Sequence, residues 1–319
     1  EDLKNRIIRC PSKFDARYFI ENGTDRENEF SGTQLRLQED PLRSLRAIRF
    51  AYKHDFNLSP CVENVIQSEQ VKNFLLEHTT NERILTETTK IFNLPVTKAV
   101  GGIRKTFELG LLPCIFPMVC QIENDFWDRK FQLCITVCEN VLSKIRVPIV
   151  QQNVLLLASF FAPLFGEYTY PNGAIHEYPF TREHMKETWK YPAKLCSNVF
   201  DIMMAASEIR ALKDVEWNNN IQITVGKLLR HTGDKWIHAF EIAHAWDNFL
   251  NPSNEDNYVA AYTKLSSNIN ESGLDGRFGV TPWNMKPRFT GKELISEFKV
   301  KPGKTMGEII DDLIEWQYL

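Results

Sequence analysis

Carboxylates and guanidinium groups stand close together in one short stretch of the chain, residues 39–53, which reads EDPLRSLRAIRFAYK. The pair Asp40-Pro41 predicts that a helix begins here, with the aspartate as N-cap and the proline at the first helical position. We expect this helix to run to about Lys53. At about 100° per residue its basic side chains fall on one arc and its apolar side chains on the opposite side. The apolar set is Leu45, Ile48, Ala51 and Tyr52.

The basic arc makes this stretch locally positive. Residues 36–53 contain five cations and two anions, which gives a local charge of +3. The cations are Arg36, Arg43, Arg46, Arg49 and Lys53, and the anions are Glu39 and Asp40. The acidic pair stands at the helix N-terminus, where the helix dipole favours negative charge. On spacing alone, this is an amphipathic helix with a solvated basic face and an Asp40–Arg43 ion pair one turn apart.

The same residues also support a chemical interpretation. A carboxylate beside a guanidinium presents an acceptor next to a fork of donors. Cytosine and adenine each carry an exocyclic amino donor beside a ring nitrogen acceptor, so both bases complement such a pair, here Asp40 with Arg43. Uracil and guanine place a carbonyl oxygen opposite the carboxylate, so two acceptors face each other. In this hypothesis Arg46 and Arg49 are free to hold the phosphates of a nucleotide or an RNA strand.

Four segments carry a resemblance to a known family. They are EDLKNR at 1–6, EDPLR at 39–43 with its continuation SLRAIRF, NERILTE at 81–87, and FTGKELISEFKVKPGKTMGEIIDDLIEWQ at 289–317. They resemble segments of class II tRNA nucleotidyltransferases, the CCA-adding enzymes. In the same order, the family segments are the end of the nucleotidyltransferase head, the EDxxR motif, the ERxxxE motif and the eukaryotic-type tail. The resemblance covers nearly the whole chain.

The resemblance implies both an activity and a fold. CCA-adding enzymes add C, C and A to tRNA 3′ ends from CTP and ATP, without a nucleic-acid template and with Mg²⁺. The implied fold is all-α, an elongated array of helical modules (neck, body and tail) after a short remnant of an α/β nucleotidyltransferase head. The implied boundaries are 1–32 for the end of the head and a linker, 33–95 for the neck, 96–224 for the body and 225–319 for the tail.

The matched motifs also imply roles for individual residues. The Asp and Arg of EDxxR act as the template for the incoming nucleotide, which implies that role for Asp40 and Arg43. Further nucleotide-binding arginines of the family align with Arg46 and Arg49. The implied supporting residues are Glu39, Glu82, Arg83 and Glu87. The implied partners are CTP, ATP, tRNA and the head domain of the same protein.

One part of the family pattern has no counterpart in this sequence. The family holds its metals with two aspartates of a DxD motif that follows a GGxVRD segment, and neither is present. These metals activate the RNA 3′ hydroxyl and neutralise the triphosphate. We therefore expect no catalytic residue and no metal ligand in this chain, Mg²⁺ in the head domain, and no activity from the chain alone. The chain begins with Glu1 rather than Met, which we interpret as a cut just after the catalytic strands.

A second basic segment lies near the C-terminus, over residues 286–304. Six cations and two anions give it a local charge of +4. We expect five of these cations to contact the RNA backbone, and the alternative is a solvated face. The five are Lys286, Arg288, Lys292, Lys301 and Lys304.

Composition narrows the class of protein. The 319 residues carry a net charge of −3, which excludes a uniformly polybasic nucleic-acid coat. A hydrophobic content of 43% argues against disorder, and only 15 Gly and 15 Pro disfavour sandwiches and barrels. Seven cysteines without a CxxC pair predict buried free thiols in a reducing compartment, hence an intracellular protein of the cytoplasm, nucleus or mitochondrion. The longest apolar run, residues 154–165, is too short to cross a membrane, and no membrane partner is expected.

Two other functions stay open. A poly(A) polymerase of the same superfamily shares EDxxR-like segments and uses ATP repeatedly. A helical module that binds RNA without catalysis is the alternative from a different class. A GGxVRD…DxD stretch upstream of residue 1 would favour the enzyme over the binding module.

Overall fold

The computed structural model describes residues 2–10, 25–116, 124–144, 149–164, 167–169, 175–177, 182–187, 189–250, 252, 255–276 and 279–319. They fall into two compact units, Glu1–Cys196 and Ser197–Leu319. Both units are mostly helical, which confirms the predicted helical class. The domain boundaries at 32, 95 and 224 and the head remnant stay predictions.

The first unit is built from short helices with two small sheets. Its helices are α1 (Asp2–Asn5), α2 (Asp25–Glu39), α3 (Arg43–His54), α4 (Pro60–Gln67), α5 (Glu69–His78), α6 (Asn81–Phe92), α7 (Val96–Glu108), α8 (Leu112–Ile115), α9 (Asn124–Lys144), α10 (Ile149–Phe161) and α11 (Arg182–Glu187). Its strands are β1 (Ile7–Ile8), β2 (Asn57–Leu58), β3 (Glu167–Thr169) and β4 (Ile175–Glu177). Strand β1 pairs in parallel with β2, whereas β3 and β4 are antiparallel.

Helix α2 corrects the sequence prediction for its region. Residues 21–36 are polar and rich in turn formers, which predicts a linker or surface insertion, yet residues 25–39 are helical. Thr33 and Leu37, one turn apart, are buried, and α2 packs on α4 and α5. Tertiary contact therefore outweighs the weak local signal. Residues 11–24 lie outside the described part of the chain.

Helix α3 begins later than the Asp40-Pro41 signal predicts. The backbone N–H groups of Arg43 and Ser44 donate to the carbonyl oxygens of Asp40 and Pro41, at 3.0 and 3.1 Å, which forms a tight turn before the helix. Leu42 occupies the N-cap position without a side-chain cap bond. The prediction of Asp40 as N-cap is therefore wrong, because its carboxylate bonds to arginine side chains instead.

The apolar side of α3 packs against α6 and α7, as its pattern predicts. Leu45, Ile48 and Ala51 are buried there. The ring of Tyr52 lies so close to the backbone of α7 that a Cβ atom at Gly101 would collide with it. A residue without a side chain thus allows α3 and α7 to approach each other.

The apolar run at 154–165 forms the end of α10 and a 3₁₀ turn at Ala162–Leu164, and its described residues from 155 onward are buried. Phe160 packs against Phe92, and Phe161 packs against Phe92 and Trp189, with ring centroids 5.3–5.9 Å apart. Residue 165 lies outside the described part. Within that part, no helix is both long and apolar enough to cross a membrane.

The cysteines follow their prediction in part. Cys114, Cys134, Cys138 and Cys196 are buried free thiols, and burial raises the pKa of the Cys138 thiol well above its usual value. Cys10 and Cys61 are also free thiols but are only half-buried. Cys120 lies outside the described residues.

The second unit continues from α12 (Ala193–Leu212), the helix that contains the boundary between the units. Its further helices are α13 (Asn219–Thr232), α14 (Trp236–Leu250), α15 (Glu255–Glu271), α16 (Gly291–Ser296) and α17 (Lys304–Trp316). The polar residues 213–222 predict a surface connection. Helix α13 begins inside this segment, because the Asn218 side chain caps it by accepting the backbone N–H of Ile221 at 3.1 Å. A buried carboxylate, Asp247, bonds Arg210 at 2.7 Å and the Tyr262 hydroxyl at 2.7 Å.

Candidate functional site

The centre of the site is the carboxylate of Glu87, on α6, whose side chain is only 5% exposed. Its Oε2 lies 2.9 Å from Nε of Arg49, and its Oε1 lies 2.8 Å from Nζ of Lys90 and 3.6 Å from Nε of Arg46. Burial alone raises the pKa of Glu87, but the hydrogen bonds and charges of Lys90 and Arg49 outweigh burial and lower it. Glu87 is therefore a charged anchor between α3 and α6.

Two guanidinium groups hold the Asp40 carboxylate in place. Its Oδ2 accepts from Nη1 of Arg46 at 3.0 Å, and its Oδ1 accepts from Nη2 of Arg83, on α6, at 3.3 Å. A carboxylate offers about four lone-pair positions, so each oxygen keeps capacity for a further donor. The side chain is 21% exposed, so such a donor can come from solvent or a ligand.

Arg43 is held by a different set of groups. Its Nη1 donates to the backbone carbonyl of Arg36 at 2.8 Å and to Oε2 of Glu39 at 3.2 Å. Arg36 donates to the same Glu39 oxygen at 3.1 Å. The hydrogen bonds from Arg43 and then Arg36 lower the pKa of Glu39. Neither Nε nor Nη2 of Arg43 bonds to any residue within the described ranges, and the side chain is 43% exposed.

These contacts bring together seven of the eight residues that the sequence analysis placed in and around EDxxR and ERxxxE. We call them the α3 ion-pair cluster, which consists of Glu39, Asp40, Arg43, Arg46, Arg49, Arg83 and Glu87. The eighth, Glu82, is exposed, and its carboxylate pairs with none of the described residues. The expected Asp40–Arg43 ion pair does not form, since each partner is bound elsewhere.

The structure corrects two further expectations about this cluster. Arg46 and Arg49 are not free, because Asp40 and Glu87 bind them. Arg36 and Lys90 complete the ion pairs but were not among the predicted site residues. Their spacing from Glu39 and Glu87, three residues in each case, is the signal that could have found them. With these two, six cations surround three carboxylates, so the site keeps a positive charge that suits an anion.

The C-terminal basic patch (Lys286, Arg288, Lys292, Lys301 and Lys304) is exposed throughout. Lys292 follows Thr290, which forms a capping box with Glu293 at the start of α16. Lys304 lies 3.8 Å from Glu308, and the Arg288 guanidinium lies 6.0 Å from the Trp316 ring centroid. No side chain in the described ranges forms an ion pair with the three other lysines.

The segment 226–231 carries two cations, Lys227 and Arg230, whose residue types only weakly favour a second phosphate contact. The Arg230 guanidinium donates to the backbone carbonyls of Pro282 and Met285, at 3.0 and 2.9 Å. Lys227 pairs with Glu315 at 2.6 Å. Both cations therefore serve the packing of the second unit.

No family model matches the chain. The Schizosaccharomyces pombe tRNA nucleotidyltransferase cca1 is 22% identical over 99% of this chain and 61% of its own length. The solved Bacillus stearothermophilus CCA-adding enzyme in complex with CTP matches 98% of this chain and 61% of its own, with a TM-score of 0.52 and 18% identity. This chain is similar to CCA-adding enzymes. The resemblance indicated by its motifs is thus confirmed.

A second CCA-adding enzyme, from Thermotoga maritima and solved in complex with tRNA, matches 99% of this chain and 61% of its own, with a TM-score of 0.50 and 16% identity. At such identities the structural likeness concerns the fold alone. The chain spans about three-fifths of the length of each of these CCA-adding relatives.

The described residues of this CCA-adding-enzyme-like chain do not fit a bound Mg²⁺. Within the described ranges, no group of three or more His, Cys, Asp or Glu side chains could hold a metal. Asp40 and Glu87 instead bond to guanidinium and ammonium groups, which compete with a cation for the same oxygens.

Proposed function

We propose that this chain selects the nucleotide and binds the tRNA in the template-independent addition of CCA to tRNA 3′ ends from CTP and ATP. The observation that carries the proposal is the geometry of Asp40 and Arg43. Each is anchored on one side by ion pairs and keeps hydrogen-bonding capacity on the other. They stand within one turn of each other, because the Arg43 N–H donates to the Asp40 carbonyl.

The selection step follows from the hydrogen-bonding groups of the bases. The exocyclic amino group of cytosine or adenine donates to the Asp40 carboxylate, and Arg43 donates to the neighbouring ring nitrogen. Uracil or guanine brings a carbonyl oxygen against that carboxylate, so both acceptors lose a partner. A paired contact of this kind discriminates between bases by about 1–3 kcal/mol.

The surrounding residues hold the selecting pair in place. Arg83 and Arg46 orient the Asp40 carboxylate, while Glu39 and Arg36 orient Arg43. Arg46 is 39% exposed, so its remaining donors can reach a nucleotide phosphate. Arg49 is only 15% exposed, and it contributes positive charge from the buried side of the site.

We assign the grip on tRNA to the C-terminal basic patch. Its lysines are exposed, and they offer the point charges that bind phosphates without reading sequence. Nucleotidyl transfer itself requires metal-bound carboxylates, which we place in a nucleotidyltransferase head domain with its Mg²⁺. The chain alone is therefore proposed to be inactive.

Nucleotide incorporation tests this proposal directly. A tRNA that ends before CCA is incubated with Mg²⁺ and each nucleotide in turn, with the chain alone and with a nucleotidyltransferase head domain in trans. We expect no addition by the chain alone and addition of only C and A with the head. Repeated addition of A without C would instead favour a poly(A) polymerase, and tRNA binding without any addition would favour a binding module.

Two matched variants test the selecting role of Asp40. Asp40→Asn replaces the acceptor facing the base with an amide, so UTP incorporation should rise about tenfold or more relative to CTP. Asp55→Asn makes the same change at the other end of α3, where the carboxylate pairs with Lys98, and should leave selectivity unchanged. Unchanged selectivity in both variants would contradict the templating role.

A further inference from the structure

A row of aromatic side chains continues from the α3 ion-pair cluster along the exposed side of α3 and onto a half-buried ring two residues beyond its end. We propose that this row, Phe50, His54 and Phe56, binds unpaired nucleotides of an RNA strand by stacking on their bases. The inference rests on the proposed function, because it places the strand beside the residues that select the nucleotide.

The rings lie close enough to form one surface. Phe50 and His54, one turn apart, are stacked with centroids 6.0 Å apart and an interplanar angle of 13°. His54 and Phe56 follow at 6.2 Å with an angle of 58°. Phe50 is 42% exposed although it is a large apolar side chain, and His54 is exposed as well. Two exposed rings in this arrangement offer a planar apolar surface on which a ligand can stack.

The row is continuous with the selecting residues. At about 100° per residue, positions 43, 50 and 54 fall within about 40° of one another on the helix. The rise from Arg43 to His54 is about 16 Å, which is the length of about four or five stacked nucleotides. A strand on this row would therefore end beside Asp40 and Arg43.

The charges of α3 favour RNA over an apolar protein partner. The helix carries four cations, Arg43, Arg46, Arg49 and Lys53, and no carboxylate of its own. Carboxylates of neighbouring segments pair with the three arginines, whereas Lys53 pairs with no carboxylate in the described ranges. The Arg49 guanidinium lies 4.3 Å from the Phe50 ring centroid, and Lys53 is exposed beside the row. Aromatic rings interleaved with cations are the usual means of binding single-stranded nucleic acid, with rings against bases and cations against phosphates.

A second Phe–His pair in the same unit provides the matched control. Phe74 and His78 on α5 have the same spacing, with ring centroids 4.8 Å apart. Their helix carries Glu69 and Glu77, and the Glu77 carboxylate lies 3.9 Å from His78 Nε2. Because these carboxylates repel phosphate, the α5 pair should not bind RNA.

The test is binding of an eight-nucleotide single-stranded RNA that contains 2-aminopurine, whose fluorescence is quenched by stacking. The full chain is compared with the double variants F50L/H54Q and F74L/H78Q. We expect about tenfold weaker binding and loss of quenching for the α3 variant, and no change for the α5 variant. Phe50→Tyr should retain both, since it keeps the ring.

Folding and tRNA binding are measured in parallel. If thermal unfolding shows that F50L/H54Q is destabilised, the single variant His54→Gln decides, because it alters only an exposed ring. Two results would contradict the stacking proposal and leave the proposed function standing. One is equal binding of the oligonucleotide by the wild-type chain and the α3 variants. The other is a wild-type chain that binds tRNA but not the oligonucleotide. A wild-type chain that binds neither RNA contradicts the proposed function as well.

Discussion

The two basic segments of the chain, residues 36–53 and 286–304, have similar local charges and different surroundings. In the first, the arginines are half-buried and bonded to carboxylates on α2, on α6 and in the turn before α3. In the second, the lysines extend into solvent, and most of them meet no carboxylate among the described residues. Similar composition therefore produces one rigid cluster and one open patch.

In the proposed function, the two segments have different roles. A rigid cluster fixes donors and acceptors in place, which is what discrimination between bases requires. Open lysines attract phosphate by charge, which gives affinity that depends on salt and carries no sequence information. The chain would thus select with its first unit and grip with its second.

The variant Glu87→Ala, for which we expect the largest effect, tests whether the first segment forms a rigid cluster. The change leaves Arg46, Arg49 and Lys90 without their shared carboxylate, and we expect the free energy of unfolding to fall by about 2–3 kcal/mol. Urea denaturation measures this loss. Glu63→Ala removes a carboxylate that pairs with Lys105 and is 32% exposed, against 5% for Glu87, and it should cost less than about 1 kcal/mol. Equal losses would show that Glu87 is an ordinary surface ion pair.

The role of the open C-terminal basic patch is tested by replacing Lys286, Lys292, Lys301 and Lys304 with alanine together. We expect tRNA binding about tenfold weaker near physiological salt and a shallower dependence of affinity on salt, because fewer counterions are released. The free energy of unfolding and the nucleotide selectivity should not change, since these side chains are exposed. A binding assay over a series of salt concentrations measures both quantities. An unaltered salt dependence would show that these lysines face solvent and do not contact the RNA backbone.

The smallest expected effect is on the pH dependence of stability. The pKa of Glu87 is lowered in the folded chain, so its contribution is complete above the usual glutamate value of 4.5 and is lost as the pH falls through the lower folded value. Unfolding free energies measured below pH 4.5 should therefore decline more steeply for the wild-type chain than for Glu87→Gln. Parallel curves would mean that the carboxylate gains nothing from its cations.

Local patterns predicted much of the first unit. The 3.6-residue period placed Leu45, Ile48 and Ala51 on the buried side of α3. The sequence pattern also predicts a helix over 81–92, and these are the bounds of α6. Helix α2 was missed because its sequence is polar and only Thr33 and Leu37 indicate a buried side. Asp40 was predicted to cap α3 because a local rule cannot include Arg83, which lies 43 residues further along the chain.

The sequence by itself determined the helical class, the order of the motifs and the two basic segments, because these depend on residue type and short spacing. Only the tertiary structure decided which charges are neutralised, since ion pairs such as Arg49–Glu87 join residues 38 positions apart. Packing of α6 against α3 brings those residues together, and it thereby converts a basic helix face into a fixed arrangement of acceptors and donors.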